Sequence, residues 1–157
     1  MHSGLFEDLR QRVEGKKVLI LGVGNRLRGD DAVGSLIIDR LQGHVKVPLI
    51  DAGDVPENFL GPIEETGAEI VLVIDAANFG GQPGEFSLLG LEQLRKINMF
   101  THNPSLALMF QVISPEHGLK VLLVGIQPET TETGHGVSEA VEKSMAALET
   151  MIVELFG

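Results

Sequence analysis

Residues 17–41 read KVLILGVGNRLRGDDAVGSLIIDRL, and this stretch decides the fold of the chain. After Lys17, its next four residues form a continuous apolar run, which is typical of a strand buried on both faces of a sheet. A glycine-rich loop follows, and apolar residues then recur from Val33 to Leu41 at the spacing of one helix face. This order of strand, loop and helix predicts the first unit of an α/β fold with a parallel sheet.

The rest of the chain repeats this alternation of short apolar runs and longer segments of helical period. Besides residues 17–21, strands are predicted over residues 45–50, 70–74, 85–88 and 119–126, with 85–88 near a sheet edge. Helices are predicted within residues 1–16, over 33–41, from Pro56 to near Gly67, over 91–97, from Thr101, and from Gly136 or Ser138 to the C-terminal end. We therefore predict a single domain over residues 1–157. It is expected to be a three-layer α/β sandwich, with a mostly parallel, five-stranded twisted sheet flanked by helices on both faces. Residues 1–16 are predicted to form an amphipathic helix.

The composition excludes several classes of function. A formal charge of −10 opposes sequence-independent binding to nucleic acid or anionic lipid, because both need a basic surface. The chain contains no cysteine, which excludes disulfides, thiolate catalysis and cysteine-ligated zinc or iron–sulfur sites. No apolar run approaches the ~18 residues of a membrane span or resembles a signal peptide, so we expect a cytoplasmic protein without membrane insertion. The sequence gives no indication of the oligomeric state.

Acidic residues stand at the predicted strand ends. Asp30 and Asp31 follow the first strand, Asp51 ends the second, Asp75 ends the third, and His102 lies in the loop before a predicted helix. Ligands of open parallel sheets bind outside the carboxyl ends of the strands, so these side chains are expected on one edge. Such a cluster repels itself unless a cation neutralises it, which predicts a functional site at this edge.

Each of these residues also has a structural interpretation. Asp30 or Asp31 could cap the following helix, although capping explains only one of the two. Asp75 could be a solvated strand end, and His102 could be a loop histidine bonded to backbone. The combination on one predicted edge, and no single residue, favours the functional interpretation.

The glycines of residues 22–29 (GVGNRLRG) suggest a dinucleotide site, and Asp51 stands 22 residues after Gly29, where a ribose-binding acid would stand. The spacing differs from G-x-G-x-x-G, and two acids at the head of the helix would oppose a pyrophosphate. No Gly-Lys-Ser/Thr follows, so the loop is not a P-loop. A non-catalytic Rossmann-like module that binds a nucleotide or nickel is therefore kept as the alternative function.

Four blocks of the sequence carry a family resemblance. They are GVGNRLRGDDAVG at 22–34, VIDAANFGGQPGE at 73–85, THNPSL at 101–106 and VGIQPE at 124–129. Together they resemble the hydrogenase maturation endopeptidases. The resemblance implies an endopeptidase that removes the C-terminal extension of a nickel-loaded [NiFe]-hydrogenase large-subunit precursor, after which the subunit closes around its metal. Residues 1–16 have no counterpart in this resemblance.

The resemblance also implies a ligand set, which is Asp31, Asp75 and His102, with catalytic and metal-binding roles. Many members of the family have Glu at the position of Asp31, a change that keeps the ligand chemistry. Two carboxylates and one imidazole suit a borderline divalent ion, which the resemblance implies to be nickel carried by the substrate, with zinc as the alternative. No H-E-x-x-H pair is present, so an aspartic-type mechanism with a proton shared by Asp31 and Asp75 stays open, as does a peptidase acting on another substrate.

Three further residues are predicted to contact substrate. Asn25 either orients Asp31 or binds substrate backbone, Gln127 shapes the substrate groove with its two following neighbours, and His135 lines the same rim. His117 is assigned to a solvated surface turn instead.

Overall fold

The structure is a computed structural model, and it describes residues 3–96, residue 107 and residues 119–157. The strands are β1 (Val18–Gly22), β2 (Leu49–Asp51), β3 (Ile70–Ala76), β4 (Phe86–Leu89) and β5 (Lys120–Ile126). The helices are α1 (Ser3–Val13), α2 (Val33–Leu41), α3 (Leu60–Glu65), α4 (Leu91–Lys96) and α5 (Glu139–Phe156), with 3-10 turns at Gly29–Ala32 and Pro56–Phe59. The helix predicted from Thr101, together with His102 and His117, lies outside the described residues.

The strands form one sheet in the order β2-β1-β3-β5-β4. Strands β2, β1, β3 and β5 are parallel, whereas β4 pairs antiparallel with β5 at the edge. The predicted five-stranded, mostly parallel sheet is confirmed, and so is the edge position of the fourth strand.

Helices cover both faces of the sheet. Along β3, Ile70, Leu72 and Ile74 face a cluster that includes side chains of α1, α2 and α5. The alternate residues Val71 and Val73 face a second cluster that includes side chains of α3 and α4. Because successive strand residues point to opposite faces, a strand buried on both sides must be apolar throughout, as this one is. The predicted three-layer sandwich is thus confirmed.

The second strand is shorter than predicted. The sequence predicts a strand over 45–50, whereas the ladder contains only Leu49–Asp51. Pro48 has no N–H to donate, and the backbone N–H of Lys46 donates instead to the carbonyl of Phe156 at the end of α5, 2.8 Å away. The apolar residues before Pro48 pack against the core without joining the sheet.

Helix α5 begins where the sequence predicts. The Ser138 hydroxyl accepts a hydrogen bond from the Val141 backbone N–H at 3.4 Å and caps the helix. Arg40 on α2 forms an ion pair with Glu142 on α5, so the two helices are tied on their exposed side. Within the part of the chain that the structure describes, no helix has the length and apolar character needed to cross a membrane.

Candidate functional site

The strand order creates a crevice between β1 and β3. The chain leaves β1 toward β2 on one side of this pair and leaves β3 toward β4 and β5 on the other side. The connections that follow the two neighbouring strands therefore run in opposite directions. Such switch points are where doubly wound sheets bind ligands. The Val23 N–H donates to the Ile74 carbonyl at 2.9 Å, so the residues that follow β1 and β3 start side by side.

Glycines allow the turn before α2 to approach this crevice closely. A Cβ atom on Gly34 would lie within 3.0 Å of backbone atoms of Ile74 and Val23, and one on Gly24 would collide with the Asp31 carbonyl. Only glycine leaves room for these contacts. The turn that carries Asp31 therefore packs at the carboxyl end of β3, the strand that carries Asp75.

Asp31 is a partly buried carboxylate at the head of α2. Burial raises its pKa; the positive charge of Arg28 and the backbone N–H of Asn25 oppose that rise, and the negative charge of Asp54 adds to it. A desolvated carboxylate with a perturbed pKa at a switch point is typical of a functional site. The position and the pKa of Asp31 are both consistent with its predicted role.

Asp75 is buried, with 2% of its surface exposed. It stands in register with Gly125 in the ladder between β3 and β5. The interpretation of Asp75 as a solvated strand end is therefore wrong. Keeping a carboxylate this deep costs solvation free energy unless polar or charged groups compensate it, which agrees with a role beyond solubility.

Asp30 is fully buried and has a different environment from Asp31. Its carboxylate accepts four hydrogen bonds: from the backbone N–H groups of Glu129 (2.8 Å), Thr130 (3.3 Å) and Ser138 (2.7 Å), and from the Ser138 hydroxyl (2.9 Å). The prediction that one of the two aspartates caps the following helix is wrong. Ala32 precedes α2 without any side-chain cap, and the carboxylate of Asp30 lies instead against the loop after β5.

Asp51 is exposed at a surface pocket, and its carboxylate is bonded within the protein. Its carboxylate accepts hydrogen bonds from the Ser35 hydroxyl at 2.7 Å and from the Arg26 guanidinium at 2.9 Å, and Arg26 also pairs with Asp39. Burial acts to raise the pKa of Asp51, but bonds from Ser35, Arg26 and the Gly53 N–H outweigh it and lower the pKa. Of the four aspartates predicted to converge, Asp51 and Asp30 are thus held by internal donors.

The lowered pKa of Asp51 predicts an acid-sensitive contribution to stability. A carboxylate whose pKa is lower in the folded state stabilises the fold above its unfolded value of 3.8, and this contribution is lost as the pH falls through the folded pKa. Urea unfolding of the wild type and Asp51→Asn is to be compared at a pH of about 6 and about 3. We expect the wild type to lose more stability than the variant over this interval.

The matched control for that experiment is Asp8→Asn. Asp8 is a partly exposed aspartate on α1 that forms an ion pair with Arg12. The loss of stability of this variant on acidification should equal that of the wild type. Parallel loss in the wild type and Asp51→Asn would contradict the assignment of this acid sensitivity to Asp51.

Asn25 connects Asp31 with a neighbouring pocket. Its backbone N–H donates to the Asp31 carbonyl at 3.0 Å, and its side chain donates to Asp54 at 3.3 Å. The pocket has a volume of about 420 Å³, and its wall includes Asn25, Arg26, Asp54 and Phe59. Asp31 is not part of this wall, so the pocket is a groove beside the candidate site. Contact of Asn25 with substrate stays a prediction.

Gln127 is buried and its amide is bonded inside the protein. The side-chain Oε1 of Gln127 accepts hydrogen bonds from the backbone N–H groups of Phe79 (3.0 Å) and Gly81 (3.1 Å). Its side-chain Nε2 donates to Oδ1 of Asn78 (3.2 Å). It therefore orders the loop after β3. No feature of the sequence indicates this internal role, and contact of Gln127 with substrate stays a prediction.

His135 lies on the loop that reaches the Asp31 turn. Its carbonyl accepts from the Gly29 N–H at 3.0 Å, while its exposed side chain pairs with Glu132 at 3.1 Å. His102 lies outside the described residues, so its distance from Asp31 and Asp75 stays a prediction. Among the residues that the structure describes, no three His, Cys, Asp or Glu side chains are grouped closely enough to hold a metal ion.

The alternative of a nucleotide site gains no support from the loop between β1 and α2. The 3-10 turn Gly29–Ala32 stands directly before α2 and carries both Asp30 and Asp31. A pyrophosphate would have to approach this negative turn, whereas dinucleotide sites offer it a helix N-terminus free of acids.

The chain is similar to known proteins over most of its length. The family model described as hydrogenase maturation protease matches residues 33–155. The hydrogenase 3 maturation protease of Escherichia coli is 29% identical over 142 residues, which cover 88% of each protein. The structure of the [NiFe] hydrogenase maturation protease HycI from Thermococcus kodakarensis matches with a TM-score of 0.75 at 27% identity, covering 94% of this chain and 97% of that one. The endopeptidase HycI from Escherichia coli matches with a TM-score of 0.76 at 26% identity, covering 88% and 90%.

Proposed function

Because this chain belongs to the hydrogenase maturation protease family, we propose that it removes the C-terminal extension of a nickel-loaded [NiFe]-hydrogenase large-subunit precursor. The family assignment confirms the resemblance carried by the four sequence blocks, and it makes the protein a peptidase. The proposed substrate is a precursor that has not yet closed around its metal. We place the reaction in the cytoplasm, where such a precursor would be assembled.

One observation carries the proposal at the level of the site. Asp31 and Asp75 stand at the β1/β3 switch point, where the close packing of Gly34 against Ile74 brings the Asp31 turn to the end of β3. Asp31 and Asp75 are also the two carboxylates that the family resemblance selects.

We propose that Asp31, Asp75 and His102 together contact a divalent metal. The donor set fits: two carboxylates and one imidazole suit nickel or zinc and leave coordination positions for other groups. The nickel in this proposal belongs to the substrate, and contact with it would report that the precursor is correctly loaded. Bound zinc, as the alternative, would supply a Lewis acid that polarises the scissile carbonyl. A proton shared by Asp31 and Asp75, as in aspartic proteases, is the competing mechanism.

The pocket beside Asp31 is proposed to hold part of the precursor chain. Asn25 lines this pocket and bonds to the Asp31 backbone, so a peptide lying there would reach the site along one continuous surface. Phe59 offers an apolar contact, and Asp54 offers a carboxylate on the same wall. A segment placed in this way would bring its scissile bond toward Asp31.

The test is to mix the purified protein with nickel-loaded and nickel-free precursor and to follow the size of the precursor on a gel. We expect the loaded precursor to shorten by its C-terminal segment and the nickel-free precursor to stay intact. Cleavage of both forms at one rate would contradict the metal-sensing role and favour the aspartic-type mechanism. Cleavage of neither would contradict the proposed function.

Titration with nickel and with nucleotides separates the non-catalytic alternative. Nucleotide binding that is independent of metal, without cleavage of the precursor, would favour a binding module. The proposed function instead predicts no nucleotide binding in this assay, because Asp30 and Asp31 make the turn before α2 negative.

A further inference from the structure

We propose that Asp30 is a positioning residue of the protease: it fixes Asp31 by joining the Asp31 turn to the loop of residues 129–138. The inference rests on the proposed function, because it concerns the geometry in which Asp31 meets the substrate. Its basis is the fully buried carboxylate of Asp30 and the four hydrogen bonds that converge on it. All four donors lie on that one loop, about a hundred residues further along the chain.

The Asp30 carboxylate is held by dipoles. Its four donors among the described residues are three backbone N–H groups and the Ser138 hydroxyl, with no Lys or Arg side chain among them. Ser138 caps α5, a helix of 18 residues, so the carboxylate lies at the positive end of the longest described helix. An anion bound by convergent N–H groups at a helix N-terminus is in a stable and directional site. Here the anion is part of the chain itself, and it carries Asp31 as its next residue.

Backbone bonds extend the junction on both sides of Asp30. The Gly29 N–H donates to the His135 carbonyl (3.0 Å), the Asp30 N–H to the Thr130 carbonyl (2.8 Å), and the Gly134 N–H to the Leu27 carbonyl (2.9 Å). Gly29 has a φ of 52°, and a Cβ atom there would lie within 3.0 Å of the Thr130 carbonyl oxygen. The two loops are thus joined so closely that the position of one determines the position of the other.

Asp31 is consequently held by two separate anchors. On one side the Asn25 N–H donates to its carbonyl, and on the other its neighbour Asp30 is fixed to the start of α5. Asp30 itself is buried and points away from the rim, so it cannot touch the substrate. Its contribution to catalysis is the placement of Asp31, and a misplacement of about 1 Å can cost about 10²-fold in rate.

Asp30→Asn tests this inference because it keeps the shape of the side chain. If the amide oxygen of Asn takes the position that accepts three bonds, its NH₂ group faces the Ser138 N–H, and two donors then oppose each other. We expect kcat for the nickel-loaded precursor to fall by about 10²-fold, with KM changed less than about threefold. The comparison is made below the unfolding temperatures and normalised to folded protein. Glu139→Gln, an exposed change at the same helix start, should keep the wild-type kcat.

Ser138→Ala keeps the test valid if Asp30→Asn does not fold. This variant removes one of the four donors and leaves the three backbone bonds, so we expect a fall in kcat of a few-fold at constant KM. A wild-type kcat in folded Asp30→Asn would overturn the inference. If Asp30→Asn does not fold, a wild-type kcat in folded Ser138→Ala would overturn it.

Amide hydrogen exchange separates this inference from the proposed function. In Asp30→Asn we expect faster exchange at Gly29 and Gly134, whose N–H groups bridge the two loops. Unchanged protection at both amides would overturn the junction whatever the activity. A wild-type protein that cleaves no precursor would contradict the proposed function alone, and the exchange result would still decide whether Asp30 holds the loops together.

Discussion

Asp31→Asn is expected to slow cleavage of the nickel-loaded precursor by about 10²- to 10⁴-fold while the protein stays folded. In the proposed mechanism this carboxylate either contacts the metal or shares a proton, and an amide does neither well at neutral pH. Its volume is nearly the same, so the turn before α2 should keep its bonds to Asn25. The measurement is the single-turnover rate of precursor cleavage with enzyme in excess.

The same substitution should raise the stability of the fold. Because burial raises the pKa of Asp31, its ionised form is less favourable in the folded than in the unfolded protein. At a pH below the unfolded pKa, the raised pKa of Asp31 stabilises the fold. This contribution to the free energy of unfolding is lost as the pH rises through the folded pKa, so it is absent from the wild type at neutral pH. Asn carries no charge at any pH. The variant should therefore show an unchanged or higher Tm at pH 7 together with its loss of activity, which would separate function from folding at this position.

Two variants give that experiment its controls. Asp8→Asn makes the same chemical change at a partly exposed position on α1, and it should leave the rate of precursor cleavage unchanged. Asp31→Glu keeps the carboxylate, and Glu occupies this position in many members of the family that the sequence resembles, so it should keep more activity than Asp31→Asn. Retained cleavage in Asp31→Asn would remove Asp31 from the mechanism.

The strands could be predicted because the information that specifies them is local in the sequence. In β3 the letters IVLVI at 70–74 describe a strand covered on both faces, and the structure buries all of them. Turn residues on both sides of 85–88 predicted an edge strand, and β4 is one. The shared edge of Asp31 and Asp75 follows from parallel strands alone, because their carboxyl ends must lie together.

The partners of Asp30 and Asp51 could not be predicted in this way. Asp30 accepts from backbone N–H groups of residues 99 to 108 positions later, and a backbone N–H leaves no mark in the sequence. Asp51 has the same strand-end position as Asp75, yet Arg26 and Ser35 occupy it. An arginine in a glycine-rich loop can reach several acids, and only the folded geometry selects among them. The sequence therefore predicted the edge but not the partners that its carboxylates have there.

Gly34→Ala is expected to have the largest effect on the fold, and it should act on the site through the fold. Its Cβ would collide with backbone atoms of Ile74 and Val23, which cannot rotate away as a side chain could. Helix α2 would have to move off β1 and β3, so we expect a loss of about 3 kcal/mol, at the upper end of overpacking costs. For a chain of this size that corresponds to a fall in Tm of roughly 6–12 °C, measured by thermal unfolding.

Gly4→Ala distinguishes the collision from the general effect of adding a methyl group. Gly4 lies within α1 with no atom within 4 Å of the position of a Cβ, so alanine should keep the stability of the protein or raise it by up to about 1 kcal/mol through its helix propensity. Folded Gly34→Ala should also cleave more slowly than the wild type, because the displaced helix carries the Asp31 turn with it. Wild-type stability in Gly34→Ala would mean that α2 can shift freely, and the close contact could then not be what places the Asp31 turn at the carboxyl end of β3.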